Sequence, residues 1–200
     1  MTFRAKKSYG QYCGLAKALD HVGDRWTLLI VRELLISPRR YSEIREALPG
    51  IATNLLADRL RDLEADGIIR SGSYGAYELT DFGRGLEKAV HELVRWGGHW
   101  MGDRTEDEEF RPEWLAVALA ALLPRRRKGK VEIRADGAVV NIDRGRVDVG
   151  PADDPEAVVE GSADAILGLA AGRAPFSGVS VIKGDRRVAA AVLTGVAPKR

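Results

Sequence analysis

Ser42-Glu-Ile-Arg-Glu-Ala-Leu48, Pro49-Gly50 and Ala52-Thr-Asn-Leu-Leu-Ala-Asp-Arg-Leu-Arg-Asp-Leu-Glu-Ala65 decide the first half of the chain. The first segment is a helix of about one and a half turns that Pro49-Gly50 breaks. In the second, Ala52, Leu56, Leu60 and Leu63 fall on one stripe at helical spacing, while Asn54, Asp58 and Arg61 point the opposite way with Thr53 and Ala57 beside them. A short helix, a tight turn and an amphipathic helix with a polar outer face are the parts of a helix-turn-helix. After Gly67, Ile68-Ile-Arg70 and Ala76-Tyr-Glu-Leu79 read as strands joined by Ser71-Gly-Ser-Tyr-Gly75, a hairpin that makes the motif winged.

Upstream, an apolar-periodic helix from Gly10 to Val22 stops at Gly23, and Asp24 can cap the next one. The apolar residues Trp26, Leu28, Leu29, Val31, Leu34 and Leu35 surround that helix and send it to the core, and Ser37-Pro38 ends it. Downstream, Thr80-Asp81 caps a long helix with a stripe at Leu86, Val90, Leu93, Gly97 and Trp100 or Met101. The acidic stretch Asp103–Glu109 with Pro112 reads as a linker, giving domains at 1–105 and 110–200.

The second domain begins with a helical run, Glu113 to Leu123, then the basic Arg125-Arg-Arg-Lys128, read as a solvated loop ahead of a nucleotide or DNA patch. Val131-Glu-Ile-Arg, Ala138-Val-Val-Asn-Ile and Arg146-Val-Asp-Val alternate around Asp136-Gly137 and Arg144-Gly145, as in a three-stranded antiparallel meander. A strand at Val158, a helix from Ser162 to Gly172, a strand at Val179 and a terminal helix after Gly184-Asp185 complete an α+β chain.

Net charge is only +2 and neither half is strongly basic, so DNA binding would rest on a few placed arginines. One cysteine, Cys13, leaves no internal disulfide and no cysteine metal cluster, and His21, His91 and His99 are too scattered for a metal set. His91 and His99 read as helix-surface residues. Neither a secretory leader nor a membrane span is legible, which predicts a cytoplasmic protein. No paired acid, base-activated nucleophile or phosphate loop stands out, so the chain reads as neither an enzyme nor a cofactor protein.

Cys13-Gly-Leu-Ala-Lys-Ala-Leu-Asp, Gly23-Asp-Arg-Trp-Thr-Leu-Leu-Ile, Arg40-Tyr-Ser-Glu-Ile, Gly50-Ile-Ala-Thr-Asn-Leu-Leu-Ala-Asp-Arg-Leu and Tyr77-Glu-Leu-Thr-Asp-Phe-Gly resemble the HxlR-type, MarR-like winged-helix regulators of bacteria over about Tyr9 to Met101. The resemblance implies double-stranded DNA as partner, a homodimer, and dimer contacts from the terminal helices: here Leu86, Val90, Leu93, Trp96, Gly97 and Trp100. Family members often have a longer, Pro-containing wing than this Gly- and Ser-rich one. Cys13 resembles the N-terminal cysteine through which some members sense oxidants or electrophiles; an inert buried thiol is the alternative.

Thr53 and Asn54 can meet phosphates or base edges, or serve as N-caps. Arg61 points outward to phosphate or guanine. Arg59 flanks the core stripe and can pair with a carboxylate instead. Asp58 can accept from cytosine N4 or pair with Arg61. Arg39, Arg40 and Ser42 can grip a phosphate or remain solvated. Arg70 and Tyr74 reach the DNA backbone if the wing does, although Tyr74 can merely close the hairpin.

More weakly, Lys130 to Val196 resembles the sterol-carrier-protein-2-like domain, in strand-turn-strand followed by Ala163-Asp-Ala-Ile-Leu-Gly-Leu-Ala-Ala-Gly172 and Val181-Ile-Lys-Gly-Asp185. That resemblance implies an apolar cavity between sheet and helices, and with it a small apolar ligand. The rival to a regulator is a small-ligand carrier whose N-terminal half dimerises.

Overall fold

A computed structural model describes residues 8–101, 105, 107–124 and 127–194. They form two compact units that divide between Val90 and His91.

The first unit opens with α1 (Gly14–Val22) and α2 (Thr27–Ile36), then a two-residue strand β1 (Arg39–Arg40), α3 (Tyr41–Ala47) and α4 (Thr53–Ala65). Helix α1 starts four residues later than the apolar pattern suggests, with Cys13 at its N-cap. In α2 the fully buried residues are Ile30, Val31, Leu34 and Glu33. Asp24 does not cap α2 with its side chain; the N-cap is Trp26, and the Asp24 carboxylate pairs with Arg59. Helix α3 is started by Glu43, whose Oε2 accepts from the Arg40 N–H at 2.6 Å. Gly50, at φ +88°, turns the chain into α4, where Leu56, Leu60 and Leu63 are buried as the i, i+4, i+7 pattern requires. Ala52 stands exposed ahead of the helix rather than on its buried stripe.

Helix α4 ends in a left-handed Gly67 (φ +68°), with Ile68 N–H on Leu63 O at 2.9 Å and Gly67 N–H on Glu64 O at 3.0 Å. The wing follows as β2 (Ile69–Ser71), a 3-10 turn at Ser73–Gly75 and β3 (Ala76–Leu79). Strand β1 pairs with β3 to make a three-stranded sheet in the order β1-β3-β2. The single long helix expected after Thr80 is two: α5 (Asp81–Arg84) and α6 (Glu87–Gly97), followed by a 3-10 turn at Gly98–Trp100. Leu86 N–H bonds to Gly83 O at 3.0 Å, an i to i−3 bond, because Gly83 and Gly85 weaken helix propensity between the two pieces.

The second unit contains α7 (Trp114–Leu122), β4 (Lys130–Ala135), β5 (Ala138–Asp143), β6 (Arg146–Val149), β7 (Ala157–Glu160), α8 (Ala163–Ala170), β8 (Ser180–Gly184) and α9 (Arg186–Leu193). The five-stranded sheet runs β6-β5-β4-β7-β8, with β4 and β7 parallel and every other pair antiparallel. Both tight turns of the meander have positive φ at their two central residues, Asp136-Gly137 (47° and 82°) and Arg144-Gly145 (50° and 81°), as two-residue hairpins demand. Leu115, Leu119, Ile133, Ile142, Ile166 and Val192 are fully buried in one core that joins α7, α8 and α9 to the sheet. The basic stretch after Pro124 is not simply solvated. Arg127 donates to the carbonyls of Ala191, Val192 and Thr194 at the end of α9, and burial lowers its pKa. Arg125 and Arg126 lie outside the described residues, as does part of the acidic stretch Asp103–Glu109. No described helix is long and apolar enough to cross a membrane.

Candidate nucleic-acid interface

With Leu56, Leu60 and Leu63 turned inward, α4 carries Thr53, Asn54 and Arg61 exposed and Asp58 half-exposed on its other side. Ala52 occupies the N-cap, so Thr53 and Asn54 stand within the helix rather than capping it. The two arginines of α4 have different surroundings. Arg61 is 70% exposed and bonded to Asp58 at 2.8 Å. Arg59 is 20% exposed and reaches Asp24 at 2.5 Å and Asp62 at 3.1 Å, so it ties α4 to the turn that precedes α2.

Three contacts orient α4. The Tyr41 hydroxyl donates to Thr53 O at 2.8 Å, joining the first residue of α3 to the first of α4. At the far end, Glu64 Oε1 accepts from the N–H and hydroxyl of Ser71, at 3.1 and 2.9 Å, and joins α4 to the wing. His21 Nδ1 lies 2.9 Å from Asp66 Oδ2, joining the ends of α1 and α4. Tyr41, Ser42, Arg45 and Glu46 line an open cleft of about 350 Å³ on α3. Tyr41 and Glu64 were not singled out from sequence, and Asp24 was read only as a cap for α2, because their partners lie 12, 7 and 35 positions away and no periodic pattern marks them.

Arg39, Arg40 and Ser42 do not share one environment. Arg40 and Ser42 are exposed, whereas Arg39 is 15% exposed, with its Nε 3.7 Å from the buried carboxylate of Glu33 that Arg32 also holds at 2.7 Å. On the wing, Arg70 pairs across the strands with Glu78 at 2.7 Å, and Tyr74 sits at the tip with φ 60° and 90% of its surface exposed.

Cys13 is exposed rather than buried. The backbone N–H groups of Ala16 and then Leu15, at the start of α1, lower its thiol pKa. Along α6 and the residues that flank it the stripe divides: Val90 is buried, Leu86 and Gly97 are half-buried, and Leu93, Trp96 and Trp100 are exposed. Trp96 and Trp100 meet edge to face at 4.3 Å. His91 is buried, not a surface residue.

Residues 21–105 match the family described as HxlR-like helix-turn-helix. The uncharacterized HTH-type transcriptional regulator YvaP of Bacillus subtilis (strain 168) is 35% identical over 91 residues, which are 42% of this chain and 84% of that relative. The chain belongs to the HxlR-like helix-turn-helix family. A second HTH-type transcriptional regulator of the same organism, YkvN, is 29% identical over 113 residues, 52% of this chain and 96% of the relative. Among solved structures, the quinone-bound YodB from B. subtilis is 32% identical, covers 44% of this chain and 99% of its own, and superposes with a TM-score of 0.41. Within the HxlR-like segment, α3 and α4 are the helix-turn-helix, and β2 and β3 are the wing.

Proposed function

We propose that this HxlR-like protein is a DNA-binding regulator of transcription that acts as a homodimer on a palindromic operator. The observation that carries the reading is the two-sided character of α4: a leucine stripe sunk in the core, and a polar face of Thr53, Asn54, Asp58 and Arg61 set outward. An α-helix of this shape fits the major groove, with Thr53 and Asn54 at its leading end near base edges. Arg61 contacts phosphate from α4, Arg40 from the end of β1 and Ser42 from α3, and Arg70 and Tyr74 do so from the wing. Arg59 supports α4 from behind, and Arg39 supports β1.

The exposed residues Leu93, Trp96 and Trp100 supply the apolar surface that a second copy covers, with Leu86, Val90 and Gly97 shaping the same helix. A dimer of this build spans two half-sites about one helical turn, ~34–36 Å, apart. Cys13, exposed and with a lowered pKa, is the position for thiol modification. The chain divides in function into a reading domain, 1–105, and a modulating domain, 110–200, of sterol-carrier-protein-2-like build. A small apolar ligand there would act through different affinities for the DNA-competent and incompetent states.

Titration of the purified protein onto duplexes selected from a random pool, at several salt concentrations, tests the reading. Salt-sensitive binding that exceeds binding to scrambled duplex and is lost in Arg61→Ala is expected. Equal affinity for selected and scrambled duplex overturns it.

A further inference from the structure

We infer that Asp58 and Glu78 are specificity-setting counter-charges, which hold the exposed arginines of the reading surface away from arbitrary phosphates. This rests on the DNA-binding reading above. Residues 53–79, which make up α4 and the wing, contain three arginines, no lysine and five carboxylates. A surface meant only to grip a polyanion has the opposite balance. The placement of the acids is as informative as their number. Arg61 and Arg70, with side chains 70% and 67% exposed, are each held by a carboxylate, Asp58 at 2.8 Å and Glu78 at 2.7 Å. The third arginine, Arg59, is bound to Asp24 and Asp62.

A phosphate that approaches Arg61 must displace Asp58, and the released carboxylate then faces the DNA backbone. On arbitrary DNA the arginine exchanges one anion for another while the displaced acid repels the duplex. On the correct sequence, hydrogen bonds to base edges are added, and Asp58 can itself accept from an exocyclic amine such as cytosine N4. The same acid therefore weakens the wrong complex more than the right one, which is discrimination by a repulsive element. Glu78 acts in the same way on Arg70 at the wing.

The test compares wild type, Asp58→Asn and Glu78→Gln by fluorescence anisotropy on a duplex selected by the wild type and on its scrambled counterpart, across a salt series. Each variant should bind the scrambled duplex about three- to fivefold tighter, the scale of an exposed ion pair, and gain less on the selected duplex, so that the specificity ratio falls. The slope of log affinity against log salt on scrambled DNA should steepen by about one as an arginine is freed for phosphate. Both changes are near-isosteric, Asp58 being half-exposed and Glu78 partly buried, and circular dichroism checks that the fold is kept. Unchanged affinity for scrambled DNA, or an equal gain on both duplexes, overturns the counter-charge role while leaving the regulator intact. A wild type that selects no sequence overturns the regulator reading and this inference together.

Discussion

A side-chain carbon on Gly83 would lie 2.0 Å from the carbonyl oxygen of Ile68. The residues between them explain the contact. Thr80 Oγ1 donates to Gly67 O at 2.6 Å and accepts from Gly83 N–H at 3.0 Å, and Thr80 N–H bonds to Ile68 O at 3.1 Å. The start of α5 is thus pressed against the chain leaving α4, which leaves room at position 83 for hydrogen alone. Gly83→Ala should destabilise the first unit by about 3 kcal/mol, because the atom it meets is backbone and cannot rotate away. Urea denaturation followed by circular dichroism measures it, and a loss below about 1 kcal/mol would contradict the packing described.

Tyr41→Phe removes the hydroxyl that joins α3 to Thr53 O while keeping the ring. The expected loss is about 1 kcal/mol, the usual net value of one hydrogen bond. The acceptor also lies within the α4 ladder, so the larger effect should be on the angle of α4, read as weaker binding to selected duplex with little change on scrambled duplex.

Much of this neighbourhood was legible in the chain itself. The leucines at 56, 60 and 63 fall at helical spacing, and Gly67 is the only residue type that enters a left-handed helix end without strain, so α4 and its limits follow from local chemistry. Strand β1 was not legible: two arginines have no period, and they become a strand only because β3 offers them hydrogen bonds. The pairing of Arg59 with Asp24 is equally invisible, since it depends on where two helices lie rather than on spacing along either. The break between α5 and α6 was signalled by Gly83 and Gly85, but the apolar stripe that continues through Leu86 and Val90 masks it.

The Cys13 thiol should titrate below an ordinary exposed cysteine, because the N–H groups of Ala16 and Leu15 favour its charged form. Its rate of alkylation by iodoacetamide should therefore rise at lower pH than that of a free cysteine peptide under the same conditions. Coincident pH profiles for the two thiols would contradict it.

Arg127→Ala should destabilise the second unit by about 1–3 kcal/mol, since it leaves the last carbonyls of α9 without their cationic donor. Arg127→Lys should recover only part of the loss, because an ammonium cannot span several carbonyls as the planar guanidinium does. Thermal unfolding of the three proteins checks the order.

The clamp that Arg127 places on α9 has a consequence for how this segment can be cut and rejoined. Arg127 stands just ahead of β4, yet its guanidinium rests on carbonyls as far along as Thr194, so the two ends of the sheet-bearing segment are neighbours in space. A segment whose ends meet can be circularly permuted: a short linker from 194 back to 127, with new termini opened at the Asp136-Gly137 turn, would leave the strand pairings in place provided α7, whose Leu115 and Leu119 share the core, is supplied alongside. The sheet-bearing segment is in this sense a cassette, a piece that a chain can carry between two nearby points of attachment.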